Sequence, residues 1–265
     1  MERSLIGILI SIVWGVIAFF AAKKARFFKS TSWHEPHLSI IFVLVAFALF
    51  ISIPVLFSSY FPFAEWKEPI TIIAIWVALR IYLQIFPKVK CIIWGPGTFI
   101  SYRHTFYNLF FGAITWFLCY PIVMFINQMI SLFLLLIFRL PHIDQLAVEL
   151  MKGYLDNPIY FWVMSFIICI VVPPIEEVLF RGFLQTWLKG WMKTRYAIIV
   201  TSIIFALFHF MWGQGLQNVS ILSALFILSC FLGYIYERQQ SLVAPIGLHA
   251  VFNAFSIFLI FFQLE

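Results

Sequence analysis

Long apolar runs separated by short polar segments dominate the chain, and the breaks between them mark eight hydrophobic spans. They lie near 4–22, 38–60, 69–86, 106–138, 159–188, 196–213, 219–237 and 241–262. About 20 helical residues cross the ~30 Å of hydrocarbon in a bilayer. The fourth and fifth runs exceed that, so they predict tilted, kinked or broken helices. The predicted fold is therefore all-α, a polytopic transmembrane bundle. Its fifth helix is kinked or broken at Pro173 and Pro174, and a helix restarting at Pro174 would carry Glu176 and Glu177 in its first turn. Between spans, 140–158 (LPHIDQLAVELMKGYLDNP) has apolar residues near helical spacing and reads as a surface amphipathic helix or a connector.

Composition strengthens this picture. Of 265 residues, 63% are hydrophobic and 11% charged, against roughly 25% charged in soluble domains. The charges are also unevenly placed. With the N-terminus outside, inner loops carry Lys23, Lys24, Arg26, Lys29, Lys88, Lys90, Arg103, Lys189, Lys193, Arg195 and Arg238. The outer segments carry Arg3, Lys67, Arg139 and Lys152, so the bias follows the positive-inside rule. Basic residues follow the first apolar run rather than precede it, which suits a retained anchor better than a signal peptide. The absence of an organelle-targeting segment points to a bacterial inner membrane. Cys91, Cys119, Cys169 and Cys230 form no CxxC pair and read as buried thiols.

Two regions follow: four N-terminal spans over 1–140, and four spans over 159–262 holding nearly all the unexplained polar groups. In the first region Arg80 is the exception, placed near enough to a span end to snorkel. Charge inside hydrocarbon costs on the order of 2.5–3.5 kcal/mol per residue on insertion scales, so the second region asks for an explanation. Glu177 and Arg181 are four residues apart and can pair, leaving Glu176 about 100° round the helix. A charge-neutralised kink would need only one glutamate. Phe205 and His209 share a helix face, as do His249 and Asn253; either histidine taken alone also fits a hydrogen-bonded core residue or interhelical glue. At 1.5 Å per residue, Glu176, His209 and Asn253 all lie roughly 18–20 Å deep and His249 about 12 Å. Polar groups at such depths seek one another.

A glutamate beside a histidine can hold and deprotonate water, while a second imidazole and an amide can donate to an oxyanion; this set suffices for amide hydrolysis. The same residues allow a zinc site of Glu176, His209 and His249 with an open fourth position. Neither HExxH nor GxSxG occurs. A proton-coupled transporter could use the same groups as a relay, but no inverted repeat is evident. A proteolytically silent immunity or scaffold protein is a third reading.

The residues also carry a resemblance. EEVLFR (Glu176–Arg181) fits EExxxR, FALFH (Phe205–His209) fits FxxxH, and HAVFN (His249–Asn253) fits HxxxN. In this order they resemble the CPBP family of intramembrane proteases, which groups CAAX prenyl endopeptidases with bacteriocin-processing proteins. GYIYERQQSLVAPIGLHAVFN also resembles that family's penultimate loop and last helix. The resemblance spans roughly 159–262 as a CPBP-like catalytic core. It implies an endopeptidase acting on prenylated peptides or membrane proteins, with Glu176 and His209 activating water. His249 and Asn253 would form the oxyanion hole, and Glu177 and Arg181 would support them. The family is labelled metalloprotease, and a metal-free glutamate mechanism has also been proposed for it. Asn253 is a poor zinc ligand and a ready hydrogen-bond donor, which favours no metal. The expected partners are substrate and lipid bilayer, without nucleic acid.

Overall fold

A computed structural model describes residues 2–24, 37–61, 66–98, 101–140 and 146–262. These form helices and connecting turns, with no strand among the described residues. In chain order they are α1 (Glu2–Lys24), α2 (Ile40–Tyr60), α3 (Lys67–Ile85), α4 (Pro87–Trp94) and α5 (Tyr102–Phe138). Then follow α6 (Leu146–Gly153), α7 (Pro158–Lys189), α8 (Thr194–Leu207), α9 (Asn218–Gln239) and α10 (Val243–Phe261). Among the described residues, seven helices are long and apolar enough to cross a membrane, so this is an integral multi-pass protein. Arg26 and Lys29 of the expected inner segments lie outside the described residues.

The sixth expected span, 196–213, is corrected. Its helix α8 has 14 residues, about 21 Å at 1.5 Å per residue, which falls short of the hydrocarbon thickness. The chain then turns through a 3₁₀ segment, Trp212–Gln217, where Gly215 adopts φ +49°. An early helix end leaves its last carbonyls in need of donors, a need the site turns to use.

The fifth helix, expected to be kinked or broken at Pro173 and Pro174, is distorted there rather than broken. The helix continues through both prolines and on to Lys189. In α register these rings would press on the carbonyls of Cys169 and Ile170 and leave them without donors. The helix instead widens into a π-turn over Ile167–Val171 just before them, and again over Val178–Gln185. Glu176 and Glu177 consequently sit within a continuous helix, away from any helix start that could stabilise them by its dipole.

α7 is the central helix, packed against α2, α3, α4, α8, α9 and α10. Round it, α5 lies along α10 and α9, and α1 lies along α5. One apolar core therefore runs across both halves of the chain. Lipid offers no hydrophobic drive between helices, so close packing substitutes for it. At Gly112 of α5 an added Cβ would run into the Ala244 carbonyl of α10. A second core joins α6, the start of α7 and the end of α10 through Met151, Tyr160, Phe161, Ile257 and Ile260. The 140–158 segment thus contains the expected amphipathic helix, although 141–145 lies outside the described residues. Arg80 is exposed with its guanidinium 5.1 Å from the Trp76 ring centroid. Cys119 is buried as expected, whereas Cys91 is exposed because α4 turns that face outward.

Candidate active site

The EExxxR stretch lies on the inward side of α7. Glu177 is fully buried and Glu176 retains 17% side-chain exposure, as expected of adjacent residues about 100° apart. Arg181 Nη1 donates to Glu177 Oε1 at 3.1 Å, fulfilling the four-residue spacing. Its Nη2 reaches α9, donating to Ser229 Oγ at 2.6 Å and to the Ser229 carbonyl at 3.3 Å. The guanidinium carbon lies 4.6 Å from the Phe205 ring centroid on α8. An anion, two neutral acceptors and an aromatic face compensate much of the desolvation of this buried arginine, while its Nε and Glu177 Oε2 are buried without a protein partner among the described residues.

Glu177 Oε1 also meets His249 Nδ1 at 2.9 Å, bringing α10 into the cluster. Paired with Arg181, this carboxylate is an acceptor, so Nδ1 carries the proton and the imidazole orientation is set. The opposite ring nitrogen, Nε2, lies 3.8 Å from Glu176 Oε2. That distance is beyond a direct hydrogen bond. Glu177 therefore acts on His249 from behind, and Glu176 faces its free side.

His209 follows the early end of α8. Its backbone N–H bonds to the Ala206 carbonyl, which leaves the Phe205 carbonyl to the side chain. Nδ1 donates to that carbonyl at 2.9 Å. The imidazole thus completes its own helix end and presents Nε2 away from it. His209 lies tilted against Phe205, with ring centroids 5.0 Å and planes 46° apart, and the Phe205 ring centroid lies 6.3 Å from that of His249. The following loop is tied by Asn218, whose Oδ1 accepts from Met211 N–H at 2.9 Å and whose Nδ2 donates to Met211 O at 2.7 Å. The bland reading of His209 as a structural group holds at Nδ1 and leaves Nε2 available.

Asn253 Nδ2 donates to the Ile168 carbonyl at 2.9 Å. The cause lies in α7. Val172 N–H bonds to Ile167 in π register, so the next donor in that register would be Pro173, which has none. Ile168 is left with a free carbonyl, and Asn253 fills it. One hydrogen of the amide is thereby committed, and the other remains.

Glu176, Glu177, Arg181 and His249 thus form one contact network, which His209 joins through the Phe205 ring and Asn253 flanks from the π-turn. No hydrogen bond or ion pair joins Glu176 to His209 among the described residues. No group of three His, Cys, Asp or Glu side chains placed to hold a metal ion occurs among the described residues. Sequence reasoning missed Ser229, a small polar residue in an apolar run, and Asn218, hidden in a loop-like stretch. It also missed the buried Gln185–Glu237–Lys189 group. There Gln185 Nε2 donates to Glu237 Oε1 at 2.7 Å and Lys189 Nζ to Oε2 at 3.0 Å. An i, i+4 polar ladder on α7 (Glu177, Arg181, Gln185, Lys189) was the available signal.

Bundle and cluster together define a multi-pass membrane protein with a polar site walled by its own helices. Residues 158–255 match the model of the Rce1-like family, described as type II CAAX prenyl endopeptidase Rce1-like. Over that stretch the chain is similar to this family. The match takes in EEVLFR, FALFH and HAVFN and leaves the first six helices outside. No curated protein and no solved structure matches the chain.

Proposed function

We propose that the chain is a glutamate-dependent intramembrane endopeptidase, with water held between Glu176 and the imidazoles of His209 and His249. The observation that carries the reading is the Arg181–Glu177–His249 series, 3.1 and then 2.9 Å, ending with His249 Nε2 beside Glu176. A buried ion pair that sets a histidine orientation beside a second, partly accessible carboxylate is more than a neutralised kink requires.

In the proposed reaction Glu176 takes a proton from water as the oxygen attacks the scissile carbonyl carbon. His209 Nε2 accepts a hydrogen bond from the same water and aims it. The resulting oxyanion is met by the uncommitted Asn253 hydrogen and by His249 when its imidazole is doubly protonated. Collapse breaks the C–N bond, and the proton held by Glu176 passes to the leaving amine. Glu177 and Arg181 hold charge and orientation throughout. No step calls for a metal, in keeping with the amide in the donor set. The family description suggests prenylated C-terminal peptides as the first substrates to try.

The test is cleavage of a quenched-fluorescence peptide library, prenylated C-terminal peptides included, by purified protein in detergent. Cleavage should fall about 10²–10⁴-fold in Glu176→Gln, the usual scale for a general base, with folding intact. It should also fall in His209→Ala and survive a zinc chelator. Cleavage by Glu176→Gln at the wild-type rate would sink the assignment, and loss with chelator would restore a metal mechanism.

A further inference from the structure

We propose that Ser229 is a positioning residue for this site, fixing the Arg181 guanidinium so that Glu177 holds His249 in its working orientation. The inference rests on the proteolytic reading above for its kinetic part alone. Ser229 is fully buried on α9 and, among the described residues, makes no hydrogen bond with either glutamate or either histidine of the motifs. Its hydroxyl makes the shortest contact of the cluster, 2.6 Å to Arg181 Nη2, with its carbonyl at 3.3 Å.

A guanidinium is a rigid plane, so fixing one Nη fixes the direction of the other. The Arg181 guanidinium carbon sits 4.6 Å from the Phe205 ring centroid, which limits its displacement on that side and leaves the fork free to turn. Ser229 on one side and Glu177 on the other remove that rotation. α9 offers no ready substitute. Its buried Glu237 is eight residues away, roughly 12 Å along the helix, and is engaged with Gln185 and Lys189. Loss of the hydroxyl leaves Arg181 with the longer carbonyl contact and lets the fork turn. Glu177, and with it His249, then loses its fixed direction.

The test compares wild type with Ser229→Ala, Ser229→Val and Ser229→Thr in the full-length protein. Thr and Val add nearly the same bulk to the buried site, and only Thr restores the hydroxyl. In kinetics, Ala and Val should lower kcat about tenfold, the scale of one hydrogen bond to a charged group, with KM unchanged; Thr should recover most of the loss. In spectra of protein labelled with ¹⁵N-histidine, the His249 Nδ1 resonance, assigned with His249→Gln, should move in Ala and Val and stay in place in Thr. Unchanged kcat and resonance in Ala and Val would overturn the proposal, as would a Thr variant as impaired as Val. If wild type cleaves nothing, the proteolytic reading fails, and the resonance alone decides whether Ser229 positions His249 through Arg181.

Discussion

α2 and α9 are both long apolar helices, yet they occupy opposite environments. The most apolar window of α2 has mean hydropathy 3.0 and is 11% buried, whereas that of the Trp212–Gln239 stretch has 2.1 and is 56% buried. The more hydrophobic helix is the more exposed. α9 buries Asn218, Ser220, Ser229 and Glu237, while α2 turns Ile41, Leu44 and Val55 outward. In water this order would be inverted. Within lipid, apolar side chains gain little by leaving the tails, and polar ones gain partners by leaving them. The core of this protein is therefore marked by its polar positions, and the same positions build the candidate site.

That contrast can be broken at its strongest point. Arg181→Met leaves Glu177 buried without its cation and should cost about 3–5 kcal/mol of stability, read from unfolding in detergent. The double variant Glu177→Leu, Arg181→Met should recover much of it, because no lone charge remains. Gly112→Val should rank next at about 3 kcal/mol, the upper range of overpacking, since the α5–α10 approach leaves no room for Cβ. Asn253→Leu removes the donor of Ile168 O and should cost about 1–2 kcal/mol as a lowered midpoint in the same assay. Leu44→Ala, on the exposed face of α2, should change stability by no more than about 0.5 kcal/mol. A Leu44 effect as large as that of Arg181 would erase the distinction between the two regions.

Much of the site was legible because its motifs are local. The Glu177–Arg181 pair follows from helical spacing, and the structure makes that bond at 3.1 Å. The separation of Glu176 from Glu177 followed from the same geometry. Their partners were not legible. Ser229 lies 48 residues beyond Arg181, and His249 lies 72 beyond Glu177. Asn253 was readable as a donor, but its acceptor is a carbonyl released by a proline on another helix. The prolines alone did not decide between a kink and a break, because a π-turn relieves the steric clash without ending the helix.

By itself the sequence determined that the chain lives in a membrane, where most of its helices run, and which residue types stand in the hydrocarbon. These are consequences of local composition, since each span's transfer into lipid depends on its own side chains. Only the tertiary structure decided that α8 stops after 14 residues, that α7 widens instead of breaking, and which acceptors Arg181 and Asn253 take. Those outcomes depend on what other helices offer at the same depth. In a solvent without hydrogen bonds, every freed carbonyl and buried charge must find its partner inside the protein.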